Sequence, residues 1–95
     1  MKLRITFLAA ANIESILDHI EQDSPQRARN ALRSIRHSLE IICENPRLGQ
    51  RREKKTERIY RVPRTYYGLI YTVDDDRDEV VLLRVFDGRT DVRNG

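Results

Sequence analysis

The sequence predicts an α+β fold, an antiparallel sheet that includes an N-terminal strand, with a helical hairpin packed on one face. Apolar residues alternate in residues 2–7, recur at helical spacing in residues 8–44, and alternate again after residue 58. Strands that follow a pair of helices, in the order β-α-α-β-β-β, indicate an α+β arrangement and not repeated βαβ units. The chain has 95 residues, 39% of them hydrophobic, so we expect one domain that spans 1–95.

The spacing of apolar residues changes from every second residue to helical spacing where the first strand gives way to the first helix. Leu3, Ile5 and Phe7 fall on one face of residues 2–7, which predicts a half-buried strand. The residues that follow have helical spacing and predict an amphipathic helix that ends near Glu21. Its apolar positions are Ile13, Ile16, Leu17 and Ile20.

The second helix has clear start and stop signals. Ser24-Pro25 provides a capping residue and then proline at the first helical position, where no N–H is needed. Asn45-Pro46 ends the helix because the residue before proline avoids helical geometry. The linker between the helices is short, so we expect an antiparallel hairpin. The apolar positions of the second helix are Ala28, Ala31, Leu32, Ile35, Leu39 and Ile42.

Three strands are predicted in the second half of the chain. Arg58–Pro63 alternates weakly and Tyr66–Val73 alternates well, so two strands joined at Pro63-Arg64-Thr65 are the simplest interpretation. Asp74–Asp78 reads as a polar turn. The segment from Val80 to Phe86 is apolar on both faces, which is typical of a central or helix-covered strand.

The composition excludes several classes of function. No apolar run approaches the roughly 20 residues of a membrane span, and the N-terminus has no cleavage site, so we expect a cytoplasmic protein. The single Cys43 rules out an internal disulfide and favours a buried thiol. His19 and His37 read as surface residues without metal-ligand spacing, and no glycine-rich nucleotide motif is present. We therefore expect no metal and no cofactor.

Positive charge is concentrated between Arg47 and Arg64. This segment carries +6 whereas the whole chain carries +3, so the rest of the chain is net acidic at −3. Such an uneven distribution of charge is expected to attract nucleic acid or an acidic protein segment, although a solvated basic loop would have the same composition. Tyr67 and Tyr71 follow directly; they could stack on bases, or they could pack in the core with their hydroxyls at its edge.

Several short motifs, in this order and spacing, resemble the ParE/RelE superfamily, the toxins of bacterial type II toxin-antitoxin pairs often labelled plasmid stabilisation proteins. The resemblance covers nearly the whole chain. The motifs are the hairpin broken by Ser24-Pro25, the loop Asn45-Pro46-Arg47-Leu48-Gly49, the segment Arg58-Ile59-Tyr60-Arg61-Val62, the strand Tyr67-Gly68-Leu69-Ile70-Tyr71, and the ending Arg84-Val85-Phe86-Asp87-Gly88-Arg89-Thr90-Asp91.

The resemblance implies one of two activities. RelE-like members cut mRNA on the ribosome with the help of basic residues and a C-terminal tyrosine or histidine, whereas ParE-like members poison DNA gyrase. The basic positions of the nuclease pattern fall on Ile59, Arg61, Gly68 and Arg89, so two of the four lack charge. Residues 91–95 contain no tyrosine or histidine. These departures favour a ParE-like gyrase inhibitor without catalysis of its own; an mRNA endonuclease and a non-toxic partner-binding module stay as alternatives.

The resemblance also implies a cognate antitoxin, ParD-like with a ribbon-helix-helix or similar domain, whose C-terminal segment lies along the toxin in a hetero-oligomer. We expect a basic flank of the second helix and one tyrosine to contact the antitoxin. The alternative is that the flank is an ordinary charged helix face. The residues are Arg27, Arg29, Arg33, Arg36 and Tyr66. We expect basic residues of the loop, of the strand after it and of the C-terminus to contact the target, gyrase with its DNA. The alternative is that these residues only solubilise the loop or face the antitoxin. They are Arg51, Arg52, Lys54, Lys55, Arg58, Arg61, Arg89 and Arg93.

Overall fold

The structure, a computed structural model, describes residues 1–52 and 55–89. A helical hairpin packs on one face of a five-stranded sheet with the strand order β1-β5-β4-β3-β2, which confirms the predicted α+β architecture. The elements are β1 (Lys2–Ile5), α1 (Phe7–Glu21), α2 (Pro25–Glu44), β2 (Gln50–Arg51), β3 (Arg58–Arg61), β4 (Tyr67–Asp74) and β5 (Glu79–Asp87).

Side-chain caps begin both helices. The Thr6 hydroxyl accepts a hydrogen bond from the Ala9 amide at 3.1 Å, and the Ser24 hydroxyl accepts one from the Arg27 amide at 3.1 Å. Each cap satisfies one of the amides that a helix leaves unpaired at its start. Pro25 is the first residue of α2, as the sequence predicts.

The prediction for β1 is wrong in length and in burial. The strand ends at Ile5, and Leu3 and Ile5 are 38% and 43% exposed. Phe7, expected on the same half-buried face, is the first residue of α1 and is 91% exposed. The Thr6 cap starts the helix at Phe7, one residue earlier than the alternation suggests, and β1 is an edge strand with a neighbour on one side only.

The sheet is mixed, because β1 pairs with β5 in parallel while the other strand pairs are antiparallel. No hairpin turn joins β1 to β5, so local turn chemistry does not set their relative direction. The short strand β2, which the sequence did not predict, pairs with β3 at the opposite edge. The expected central strand is β5, which lies between β1 and β4.

The core lies between the helical hairpin and the covered face of the sheet. Facing pairs across β4 and β5, such as Leu69 with Val85 and Tyr71 with Leu82, pack against α2 residues including Ile35. An irregularity between Ile70 and Tyr71 shifts the register and keeps these pairs on one face. The covered face of the sheet therefore carries most of the apolar burial.

Among residues 1–52 and 55–89 no helix covers the other face of the sheet, the helix-free face, yet β4 is buried on both faces from Tyr67 to Tyr71. Phe86 faces Gly68 across the strand pair, and a Cβ on Gly68 would collide with the Phe86 ring. The ring thus lies across the glycine and supplies part of the cover. Within the described residues, no helix has the length and apolar character to cross a membrane.

Candidate functional site

Internal hydrogen bonds hold the loop between α2 and β2. The Tyr71 hydroxyl donates to the Pro46 carbonyl at 2.7 Å and accepts from the Gly49 amide at 2.8 Å. The Arg58 guanidinium donates to the carbonyls of Arg47 at 3.2 Å and Gly49 at 2.9 Å. Burial raises the pKa of Tyr71, so its hydroxyl keeps the proton it donates. These four hydrogen bonds, the loop clasp, fix the position of the loop.

The basic edge is the surface of the loop, β2 and β3, and the structure brings together there three of the eight residues of the predicted target surface. A hollow of about 470 Å³ is lined by Arg51, Arg52 and Arg61 together with the loop. Arg52 pairs with Glu57 at 3.0 Å, whereas the Arg61 side chain makes no hydrogen bond or ion pair within the described residues.

Not every predicted target residue belongs to the basic edge. Arg58 is engaged inside the loop clasp. Lys55 is exposed beside the edge, and its carbonyl accepts from Arg51 at 3.3 Å. Arg89 lies at the far end of β5. Lys54 and Arg93 lie outside the described residues.

Three of the positions that the nuclease pattern would need lie together on the helix-free face. Ile59 faces Ile70, and Arg61 faces Gly68, in the register of β3 with β4. The neighbouring Phe86 ring covers Gly68. Ile59 and Gly68 thus lack the positive charge that could stabilise charge at phosphorus. The cations that the register places on this part of the face are Arg61 and Arg84, which pairs with Ile70.

Arg89 is held away from that face. Its guanidinium makes two hydrogen bonds to the Asp87 carboxylate at 2.9 and 3.1 Å and lies 4.6 Å from the centroid of the Tyr66 ring. The hydrogen bonds from Arg89 are the main cause that lowers the pKa of Asp87. Asp87 therefore orients Arg89 along the Tyr66 ring.

The predicted antitoxin residues fall into two groups. Arg29, Arg33 and Arg36 follow i, i+4, i+7 spacing opposite the buried positions of α2 and are exposed. Arg27 lies elsewhere, beside Tyr66, which is 61% exposed. The sequence thus correctly indicated an exposed basic flank but combined two separate surfaces.

Arg27 and Tyr66 belong to a groove between α2 and the turn that joins β3 to β4. We call it the basic groove and define it by Arg27, Arg64, Tyr66, Tyr67 and Arg89. Sequence reasoning did not include Arg64 or Tyr67 among the predicted target or antitoxin residues, although it counted Arg64 in the basic segment and offered base stacking as one interpretation of Tyr67. Their positions beside Pro63 in a turn and at a strand start carry no signal that they meet Arg27.

Other candidate residues carry no site. His19 and His37 are exposed, as expected. Cys43 is half-buried and packs against the core, and burial raises the pKa of its thiol. Among residues 1–52 and 55–89, no three His, Cys, Asp or Glu side chains come together in a way that could hold a metal ion.

Known proteins match this chain in family and fold. The chromosomal ParDE toxin-antitoxin system of P. aeruginosa has a TM-score of 0.77 and 24% identity, over 92% of this chain and 95% of that one. The RelBE2 toxin-antitoxin complex of Mycobacterium tuberculosis has a TM-score of 0.60 and 25% identity, over 90% of this chain and 95% of that one. The intact RelBE complex of E. coli has a TM-score of 0.62 and 19% identity, over 88% and 92%.

No curated protein matches the chain in sequence. The family described as "ParE toxin of type II toxin-antitoxin system, parDE" matches residues 3–92. That match spans nearly the whole domain, including both helices and all strands of the sheet. The chain therefore belongs to the ParE toxin family of type II toxin-antitoxin systems.

Proposed function

We propose that this toxin inhibits DNA gyrase in the cytoplasm by docking, without catalysis of its own, and that a cognate antitoxin neutralises it. The observation that carries the proposal is the missing charge at two positions of the nuclease pattern on the helix-free face. Ile59 and Gly68 stand where the nuclease pattern of the wider superfamily has cations, and Phe86 fills the space above Gly68. In-line RNA cleavage there would lose charge stabilisation worth about 10²- to 10³-fold in rate for each missing group.

The basic edge is the proposed surface for gyrase and its DNA. Arg51 and Arg61 are exposed around one hollow, and Arg61 has no hydrogen-bond or ion-pair partner in the described part of the chain. Arginine side chains of this kind bind phosphate oxygens, which a gyrase complex with cleaved DNA would present. Of the residues expected from sequence, Arg52 also lines this hollow and Lys55 lies beside it, while Arg58 contributes by holding the loop in place. Lys54, Arg89 and Arg93 stay predictions for the same target.

The antitoxin surface is proposed to lie on α2. Arg29, Arg33 and Arg36 form an exposed basic row, and Arg27 with Tyr66 continues it around the helix. The related ParDE and RelBE structures are toxin-antitoxin complexes, which supports a partner of this kind. A ParD-like antitoxin segment with acidic side chains would complement the row.

Expression in growing bacteria tests the gyrase proposal. Induction without the antitoxin should arrest growth with filamentation and induction of the DNA-damage response, because stalled gyrase leaves broken DNA. Arg61→Gln should weaken the arrest, while Arg77→Gln, which removes the same charge from the distant β4–β5 turn, should not. Arrest with an immediate stop in protein synthesis and no DNA-damage response would contradict the proposal.

Charge reversal tests the antitoxin surface. Arg33→Glu places a carboxylate in the middle of the exposed row of α2 and should weaken antitoxin binding by about tenfold or more, since like charges at an interface repel. Arg77→Glu is the matched control for the change in net charge. Equal affinity of both variants for the antitoxin would show that the α2 row is not the interface.

Cleavage of mRNA is the second candidate, and one observation favours it. Arg61 is exposed on the helix-free face and is available to a phosphate. Cleavage of mRNA on programmed ribosomes that is lost in Arg61→Ala or Arg89→Ala would establish this activity. Absence of cleavage by the wild-type toxin would exclude it.

A further inference from the structure

Arginine side chains from three segments line the basic groove, and two of them have no partner among the described residues. Arg27 comes from the start of α2, Arg64 from the β3–β4 turn and Arg89 from beyond β5, and all three line one hollow of about 320 Å³. The side chains of Arg27 and Arg64 make no hydrogen bond or ion pair within the described residues. The carboxylate of Asp87 engages Arg89. Three guanidinium groups thus meet one carboxylate.

Tyr67 gives a second, independent indication of a ligand. The residue is 8% exposed, and its hydroxyl makes no hydrogen bond within the described residues. Every buried side-chain oxygen or nitrogen in that part of the chain has a partner, so the Tyr67 hydroxyl must be open to the groove. Tyr67 lines the groove, and burial first, then the charge of Asp87, raises the pKa of its phenol, while the charges of Arg89 and Arg27 act in the opposite direction. The phenol therefore keeps its proton and can donate into the groove.

The backbone of Arg64 has a φ of 61°, in the left-handed region. A non-glycine residue there is uncommon, costs about 1 kcal/mol or more, and is frequent at ligand sites. Glycine or asparagine would fit this turn at lower cost, yet the position carries the long cationic side chain that lines the groove.

A second hollow adjoins the groove and shares Ile20, Tyr67 and Arg89 with it. This hollow has about 600 Å³ and is lined by residues of α1 and β5, among them Ile16, the exposed His19 and Asp87. The two hollows lie on either side of Tyr67: the basic groove is the cationic end, and the adjoining hollow is the larger, partly apolar end. Pockets of small ligands have this size and this division.

We propose that the basic groove binds the phosphate of a nucleotide, either a nucleoside monophosphate or the 5′-phosphate end of a nucleic acid, with the nucleoside in the adjoining hollow. Arg27 and Arg64 bring two unengaged arginine forks from separate segments to a tetrahedral phosphate, which carries up to about −2 charge, and Arg89 adds its charge beside them. A planar carboxylate needs fewer of them, since one fork satisfies it. Tyr67 donates to a phosphate oxygen. The site shares Arg27 and Tyr66 with the proposed antitoxin surface and Arg89 with the predicted target residues, whereas Arg64 and Tyr67 belong to neither.

Titration of the full-length toxin with AMP at low salt tests the proposal, with adenosine and inorganic phosphate measured in parallel. AMP should bind more tightly than either, because it fills both hollows. A 5′-phosphorylated oligonucleotide, compared with the same oligonucleotide bearing a 5′-hydroxyl, distinguishes a nucleic-acid end from a free nucleotide. Equal affinity of AMP and adenosine would overturn the proposal. So would a toxin that binds neither AMP nor the 5′-phosphorylated oligonucleotide at millimolar concentration.

Variants locate the binding. Arg64→Gln should weaken AMP binding by about tenfold, as expected for a lost charged hydrogen bond. Tyr67→Phe should weaken AMP binding several-fold, and this variant, which keeps the ring in the core, tests the site even if Arg64→Gln disturbs the turn.

Arg33→Gln, on the outer face of α2, is the matched control and should leave the affinity for AMP unchanged. An equal loss in Arg33→Gln would show non-specific attraction and contradict the site. Because Arg64 and Tyr67 belong to neither proposed protein interface, normal gyrase inhibition by these variants would separate the two proposals.

Discussion

Two tyrosines four residues apart on the same face of β4 have opposite environments. Tyr71 is fully buried, and its hydroxyl both donates and accepts a hydrogen bond in the loop clasp. Tyr67 is almost as buried, but its hydroxyl opens into the basic groove and has no partner in the described part of the chain. The same residue type on one strand thus completes an internal network at one end and leaves a donor free at the other.

The arginines near each tyrosine follow the same division. Beside Tyr71, Arg58 donates to two backbone carbonyls and is part of the architecture. Beside Tyr67, Arg27 and Arg64 face the groove without an ion-pair partner among the described residues. Satisfied polar groups in a core specify the fold, whereas unpaired donors that converge on a groove offer binding energy to a ligand. Changes near Tyr71 should therefore affect stability, and changes near Tyr67 should affect binding.

The largest effect is expected for Gly49→Ala. A Cβ at this position would lie 2.5 Å from the Tyr71 hydroxyl oxygen, closer than any non-bonded contact allows. The enclosed ring cannot move away without losing its hydrogen bonds, so we expect a loss of about 3 kcal/mol in the free energy of unfolding. Urea denaturation measures it. Wild-type stability would show that the loop clasp adjusts freely and that Gly49 is not required.

Tyr71→Phe should have the next largest effect. It leaves the Gly49 amide and the Pro46 carbonyl without their hydroxyl partner, and we expect a loss of about 2 kcal/mol in the free energy of unfolding. Denaturation with the same protocol checks this value. A change below about 0.5 kcal/mol would mean that water replaces the hydroxyl at no cost, and the clasp would not be a stabilising feature.

Tyr67→Phe is the matched variant on the same strand. Because the Tyr67 hydroxyl has no hydrogen-bond partner in residues 1–52 and 55–89, its removal should change the free energy of unfolding by less than about 0.5 kcal/mol. The contrast with Tyr71→Phe is the quantity of interest. Equal destabilisation by the two variants would contradict the distinction between the two ends of β4.

The smallest effect is expected for Asp87→Asn, on the dependence of stability on pH. Hydrogen bonds from Arg89 lower the pKa of Asp87 in the folded protein, so this contribution to stability is present above the unfolded pKa of about 3.9 and is lost as the pH falls through the folded value. Asp87→Asn should lower the melting temperature slightly at neutral pH, and the difference from wild type should vanish in strong acid. A difference that grows as the pH falls would have the wrong sign for this ion pair.

The sequence predicts this fold well wherever the signal is local. Ser24-Pro25 and Asn45-Pro46 set the ends of α2 through capping and through the geometry before proline, and both predictions are confirmed. The alternation in residues 2–7 was misleading because burial of a strand depends on its neighbours. As an edge strand, β1 leaves Leu3 and Ile5 exposed.

The sites are less predictable because they depend on contacts between distant residues. Sequence alone identified Arg61 and the basic row of α2, since charge and helical spacing are visible in one segment. It assigned Arg58 to the target surface, although contacts with the carbonyls of Arg47 and Gly49 engage its guanidinium. It missed the basic groove, in which Arg27, Arg64 and Arg89 meet only after the sheet has formed.

Supercoiling of relaxed plasmid DNA by purified gyrase tests the central claim most directly. With the toxin added, supercoiling should fall and cleaved DNA should accumulate in the gyrase complex, and the purified antitoxin should reverse both effects. Unchanged supercoiling and no trapped cleavage at a large molar excess of toxin would contradict gyrase inhibition as the function of this protein.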